Sequence, residues 1–454
     1  MEERIQELEG RLGGSAAPLV ASNGAIPAAA LKMPTEPAVL SAAAANLPAP
    51  AIQIAAPQEL AAPSVSAGRE GFSIQSPDGD FRLRLRYQVQ VDGRFAVNRN
   101  ETADPNTFYL RRTQPILEGT LYRHFNYQLL LDFSQGNPRV NNAYVITTIT
   151  PSFNIQIGKF KLPLGLERIQ SGMTLPLMER ALPSQLIPSR DLGLQFSGDL
   201  ADSRLSYALG VFNGVPDGSN SDGNADDRME FDGRLMAKPF VNASVAGLAG
   251  LFFGVAGSYG ETEGNASSTN LGSYSSSGQR EFFQYRRDGS NAGTVAADGV
   301  HYRLSPQGYY YAGPFGVMAE FVQSAQQVRR GTARATMNHR GWQVMTSYVL
   351  TGENGSYDGV NAAKPFDPER GNWGAFEVAA RYTALQPDEE AFPLFADPAK
   401  AAGEAKAWAV GLNWYLNRNL KLVLGYEQTK FEGALPGVTF HTEKLFQQRF
   451  QLRF

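Results

Sequence analysis

The stretch Asp80–Phe95, DFRLRLRYQVQVDGRF, decides the fold. Phe81, Leu83, Leu85, Tyr87, Val89 and Val91 fall on one parity, and Arg82, Arg84, Arg86, Gln88, Gln90 and Asp92 on the other. Successive side chains of a β-strand point to opposite faces, so this segment predicts a strand with one apolar and one cationic face. The same alternation recurs in RHFNYQLLLDF (123–133), FNIQIGKF (153–160), RLSYALGVF (204–212), MEFDGRLMAKPF (229–240), AFEVAARYTAL (375–385), AWAVGLNWYL (407–416) and LKLVLGYEQTKF (420–431). In all, about sixteen candidate strands fill residues 71–454.

The connections come in two sizes. Leu416–Asn419 and Ala312–Pro314 have the composition of tight turns, whereas Pro216–Asp227, Glu261–Val300, Gly352–Asn372 and Leu385–Ala405 are long and rich in Gly, Ser, Asn and Asp. Short turns alternating with long outer loops between strands of one apolar parity predict an all-β fold, a transmembrane antiparallel β-barrel. The last segment, KLFQQRFQLRF (444–454), places Phe446, Phe450, Leu452 and Phe454 on one parity and Gln447, Arg449, Gln451 and Arg453 on the other. A final strand ending on an aromatic resembles the assembly signal of bacterial outer-membrane proteins. That assigns the signal to Phe454 and makes the barrel assembly machinery and outer-membrane lipid, lipopolysaccharide included, expected partners.

The 454 residues include no cysteine, which removes disulfide frameworks, thiolate metal sites and cysteine nucleophiles. With 41 basic and 44 acidic side chains the chain lacks the cationic excess that binding nucleic acid requires. Mean hydropathy is −0.28, against a bundle of membrane helices. Val241–Tyr259 is uncharged for 19 residues, but its glycines and the shared parity of Leu251, Phe253, Val255 and Tyr259 read as strand.

Residues 1–13 differ. Ile5, Leu8 and Leu12 in MEERIQELEGRL have coiled-coil spacing, yet barely two heptads are present, so the helix forms where several chains meet or frays. Residues 14–70 are Ala/Pro-rich and read as a linker. These first 70 residues hold 4 basic and 7 acidic side chains, leaving 37 of each in the barrel domain, residues 71–454. An outer-membrane barrel would keep the coil and linker in the periplasm, with a signal peptide already removed.

If the apolar parity faces lipid, the other faces the lumen. Arg82, Arg84 and Arg86 then stand in a row, roughly 6.5 Å apart, as a ladder of weak oxyanion sites. The alternative is that they pair with acids on neighbouring strands, such as Glu118 and Asp132, and fill space. Arg111 and Arg112 cannot both point inward from a regular strand. Parity with Glu118 makes Arg112 the inward one and puts Arg111 at a bulge, at the strand mouth or toward lipid. Residues 161–191 are too long for a turn and carry Lys161, Arg168, Arg180 and Arg190 against Glu167, Glu179 and Asp191. They suit either a loop folded into the lumen or an external loop packed on a neighbouring subunit.

FYLRRTQPILEGTLYRHFNYQLLLDFS (108–134), NIQIGKFKLPLGLER (154–168), LGLQFSGDL (192–200), LSYALGVFNG (205–214) and RLSPQGYYYAGPFGVMAEF (303–321) resemble the phosphate-selective porin O and P family of Gram-negative outer membranes. The resemblance spans about Phe81 to Phe454. It implies a sixteen-stranded barrel, a homotrimer with one pore per chain and an inward third loop. It carries the family's constriction arginines onto Arg111 and Arg112 and its GLE-basic residue onto Arg168. Of the family's later arginine ladder, SSSGQREFFQYRRDG (275–289) keeps Arg280, Arg286 and Arg287, with Phe282, Phe283 and Tyr285 between them. Where family members carry acids beside the constriction, this chain has Asn141 and Asn142. Fewer cationic rungs lower the advantage of a multivalent anion.

Other classes fit less well. His124, His301, His339 and His441 lie in no motif that pairs them with a nucleophile, so no enzyme is expected. Asp217–Asp227 is rich in oxygen ligands but has Asp222 where a calcium loop needs glycine, so no metal or cofactor is expected. Residues 14–70 cannot make the plug of an energised receptor, and a structural barrel would not need an arginine-lined lumen. The expectation is a passive porin preferring anions such as phosphate, with Arg82, Arg84, Arg86, Arg111, Arg112, Arg168, Arg280 and Arg286 on the path and Phe282 and Tyr285 narrowing it. A general or organic-anion pore is the alternative.

Overall fold

A computed structural model of the chain describes residues 62–68, 70–97, 106–242 and 247–454. The coil expected over residues 1–13 and most of the 14–70 linker lie outside the described residues. Sixteen antiparallel strands form a closed barrel. Strands β1 to β5 are Phe81–Ala96, Thr107–Leu121, Phe125–Asp132, Arg139–Thr150 and Phe153–Phe160. Strands β6 to β10 are Asp191–Leu200, Leu205–Phe212, Glu230–Ala237, Leu251–Glu263 and Ala296–Ala312. Strands β11 to β16 are Phe315–Arg330, Ala333–Val349, Ala375–Gln386, Ala402–Tyr415, Leu420–Gly433 and Glu443–Arg453.

Each strand pairs with its successor, and β16 closes on β1, with Gln451 opposite Gln90 and Phe450 opposite Val91. Closure satisfies every edge, which a sheet in lipid requires because no water is there to hydrogen-bond an exposed edge. The alternation in β1 becomes two environments: Phe81, Leu83 and Leu85 are exposed on the outer face, while Gln90 and Asp92 are buried inside. Phe454 exchanges backbone hydrogen bonds of 2.9 and 3.0 Å with Tyr87, and its ring lies 6.0 Å from those of Phe72 and Tyr87.

Two boundaries differ from the sequence reading. Ser64–Gly68, placed in the linker, is a strand that pairs with Gly71–Gln75, and this hairpin extends the sheet along β1, with Phe72 opposite Leu85. Five backbone pairs hold the hairpin, which few apolar residues would have signalled. The second difference is the connection over residues 350–374, expected as an outer loop. It joins β12 to β13 and therefore lies at the barrel end that carries the short turns, while the two-residue turn at Arg330–Ala333 lies at the end of the long loops.

The core lies inside the barrel. Residues 161–190, here called L3, the hairpin of Tyr274–Ser275 and Glu281–Phe283, and residues 387–401 pack against the inner faces of β10 to β15. Those inner faces present small and apolar residues, with Val322, Ala325, Met337, Ala405 and Ala407 buried, beside buried polar ones such as Arg303, Glu320, Arg381 and Glu427. One side of the lumen is filled, and the open side runs along β1 to β5.

Candidate functional site

L3 turns inward directly after Phe160. Leu162, Leu164, Leu166, Leu186 and Ile187 are each at most 1% exposed, and burial of each contributes roughly 1.5–3 kcal/mol. Polar clamps fix its height. Glu167 accepts the Ala181 N–H at 2.6 Å and Arg381 of β13 at 3.3 Å, and Glu179 accepts both arms of the Arg111 guanidinium at 2.6 and 3.0 Å. Asn413 and Lys421 donate to the carbonyls of Pro176 and Leu175 at 2.8 and 2.9 Å. From the short-turn side, Tyr357 donates to the Leu166 carbonyl while Gln170 donates to the Tyr357 carbonyl at 2.6 Å.

Between L3 and the wall of β1 to β5 remains a cavity of about 840 Å³. Arg86, Arg111, Arg112 and Arg139 reach it from the wall, and Lys161, Arg168, Arg180 and Arg190 from L3. Asp132 is the one acid among the described lining residues, and it is engaged by Gln114 at 2.8 Å, Asn141 at 3.3 Å and the Ser134 N–H at 3.1 Å.

Three of the four L3 cations are oriented by backbone carbonyls, and Arg190 donates to the Asn142 side-chain oxygen at 2.7 Å. Lys161 donates to Ile169 and Gln170 at 2.9 and 2.8 Å, Arg180 to Glu167 and Gln170 at 3.0 and 2.6 Å, and Arg168 to Ser184 and to Ile187 at 3.1 Å. A carbonyl dipole positions a cation without cancelling its charge. Burial, reinforced by the Arg180 and Arg190 guanidiniums, pushes the Lys161 ammonium well below the usual lysine range and Arg168 down to about 9. An arginine keeps its proton, so a cluster held this way retains its positive charge.

Arg86, Arg111, Arg112 and Arg168 stand at this cavity. The β1–β2 ladder shifts between Gln90–Arg112 and Val91–Leu110, leaving Arg111 as the bulged residue. The bulge turns both arginines inward, where parity had allowed only Arg112. Gly172 packs against Arg112 so closely that a Cβ there would lie 2.8 Å from the guanidinium carbon. Arg82 and Arg84 line a smaller recess with Glu118 and Gln128. Arg84 and Arg86 both reach Glu118, at 3.3 and 3.4 Å, so the pairing alternative applies to Glu118, whereas Asp132 binds amides.

Arg280, Arg286, Phe282 and Tyr285 stand apart from the cavity. Arg280 lies 4.9 Å from the Phe431 ring centre and donates to the His441 carbonyl at 3.0 Å, and Arg286 donates to the Pro393 carbonyl at 3.0 Å and lies 3.5 Å from Asp397. Phe282 and Tyr285 are buried in the apolar core, where the Tyr285 hydroxyl is 2.6 Å from His339 Nε2. The cause is the inward hairpin, which turns its aromatics to the core and its cations to neighbouring outer segments. Of residues 275–289, Gln279 alone lines the cavity.

Arg139, Lys161, Arg180 and Arg190 carry the charge that the selection of path residues missed. For Lys161, Arg180 and Arg190 the signal was the four-against-three balance of residues 161–191, because each acid there is consumed. Glu167 and Glu179 bind arginines, and Asp191 accepts the N–H groups of Leu192 and Gly214 at 2.7 and 2.8 Å. The acidic loop is spent similarly: Asp217 binds Arg303 at 2.7 Å and Asp222 pairs with Lys159.

The comparisons agree with this architecture. Porin O of Pseudomonas aeruginosa is 28% identical over 396 residues, which is 79% of this chain and 85% of Porin O. Among solved structures, the outer membrane channel DcaP of Acinetobacter baumannii matches with a TM-score of 0.53 at 10% identity, covering 84% of this chain and 99% of DcaP. OprB of Pseudomonas putida matches with a TM-score of 0.50 at 10% identity, covering 83% of this chain and 95% of OprB. At such identities these structures speak to the barrel fold. Residues 81–454 match the family model described as phosphate-selective porin O and P, and with a closed sixteen-stranded barrel narrowed by an inward loop, the chain belongs to that family of outer-membrane porins.

Proposed function

We propose that this porin passes small hydrophilic solutes passively and prefers anions, phosphate or similar oxyanions among them. The observation that carries the reading is the cavity at L3, where eight cations meet one acid among the described lining residues, with Arg86 and Arg111 also paired to Glu118 and Glu179 beyond it. Arg82, Arg84 and Arg86 continue the path along β1, so an ion meets several weak sites in series, which favours entry without trapping. The alternative in which aromatic side chains sort the solutes loses support, since Phe282 and Tyr285 lie in the core and, among the described residues, Tyr144 and Phe160 alone bring rings to the cavity.

A homotrimer is the assembly we infer from family membership, and the wall supports it. Strands β3, β5, β7 and β8 have 8 residues each, below the roughly 9–11 needed to cross the apolar layer, so protein rather than lipid is the fitting neighbour on that side. Because β1 starts at the end of the short turns, the residues before Phe81 belong on the periplasmic side, and Phe454 is the residue we assign to recognition by the assembly machinery. Phosphate titrated against chloride current through reconstituted protein tests the oxyanion reading. Added phosphate should lower chloride conductance in a saturable manner, and an unaffected current would remove the phosphate site.

A further inference from the structure

The wall facing L3 has a chemistry that a path for bare anions does not use. Gln88, Gln114, Gln128, Asn141, Asn142 and Gln156 line the cavity from five successive strands, β1 to β5, two of these amides coming from β4. Several are already engaged: Gln88 donates to Gln114, Asn142 to Gln128 at 2.6 Å, Gln114 to Asp132 at 2.8 Å and Gln128 to Glu118 at 3.1 Å, while Asn142 accepts from Arg190 at 2.7 Å. Each primary amide offers two donor hydrogens and a carbonyl with two lone pairs, so these bonds use part of its capacity. A bare oxyanion needs donors alone, which L3 supplies in excess, and the amide carbonyls would only repel it. A hydroxyl both donates and accepts and matches an amide on both counts. The cavity, about 840 Å³, falls within the roughly 300–1,000 Å³ typical of organic-ligand sites.

We propose that the cavity selects phosphorylated polyols, with the phosphate seated on Lys161, Arg168 and Arg180 of L3 and the hydroxyls on the amide band of β1 to β5. The proposal rests on the anion-pore reading and names the solute class for it. Its test uses the full chain in planar bilayers, with glucose 6-phosphate, inorganic phosphate and glucose titrated separately against chloride current. Glucose 6-phosphate should half-block at a concentration at least tenfold below inorganic phosphate, and glucose should not block in that range. Replacing Gln156, Gln156→Ala, and Gln88, Gln88→Ala, should bring the two phosphates within threefold of each other. Heat-modifiable mobility on gels establishes that each variant is a folded barrel, and the wild-type comparison stands without them. Equal half-blocking concentrations in the wild type, or a tenfold ratio that persists in folded variants, would overturn the polyol assignment and leave the anion reading standing. No block by either phosphate would instead overturn the anion reading.

Discussion

Glu118 sets the charge that the first strand presents to a solute, because Arg84 and Arg86 share its carboxylate at 3.3 and 3.4 Å. Partly exposed pairs of this kind are worth about 1 kcal/mol or less. Glu118→Gln should therefore raise the chloride-to-potassium permeability ratio by up to about fivefold, read from reversal potentials, whereas Arg84→Gln with Arg86→Gln should lower it while the barrel still assembles. An unchanged ratio in the double variant would make those arginines space-filling. Lys161 adds a pH dependence. Burial first, then Arg180 and Arg190, lowers its affinity for a proton, so it is charged at low pH and neutralises below the ordinary lysine value of 10.5. Anion preference should fall as pH rises through the point, below that value, at which Lys161 loses its proton, and Lys161→Arg should preserve it. A preference flat with pH in both proteins would rule Lys161 out.

At the scale of elements, L3 is a loop held from three directions: by Arg111 of β2, by Arg381 of β13 and by Tyr357 from below. Glu167→Gln removes the Glu167–Arg381 pair at 3.3 Å, while Arg381 keeps Glu427 at 3.2 Å and the Glu179 carbonyl at 2.8 Å. The change should loosen L3, giving larger single-channel conductance and weaker anion preference. Unchanged conductance would show that the apolar residues hold L3 alone. The strands were legible because period two is local and each residue of β1 declares its face. The fold of L3 was not, since Glu167 and Arg381 are 214 residues apart and no local pattern announces that contact. Similarly, Phe282 and Tyr285 read as lumen aromatics by sequence, and only the inward turn of their hairpin sends them to the core. Arg111 and Arg112 were legible as a conflict of parity, which the bulge resolves.

For the whole molecule, the charge of −3 belongs to the first 70 residues, and the barrel domain divides 37 cations and 37 acids by place. Acids in L3 and the outer loops neutralise structural arginines, and the uncancelled cations are left at the cavity. Closure depends on the last strand, whose Phe454 bonds to Tyr87 and packs on Phe72. Deleting Phe454 should reduce the yield of heat-modifiable barrel in membranes, and undiminished yield would free that residue of an assembly role. The central claim, that a nearly neutral chain encloses an anion-preferring pore, is tested most directly by the zero-current potential of the reconstituted protein in a potassium chloride gradient. The account predicts a potential displaced toward the chloride equilibrium value; displacement toward the potassium value would contradict it.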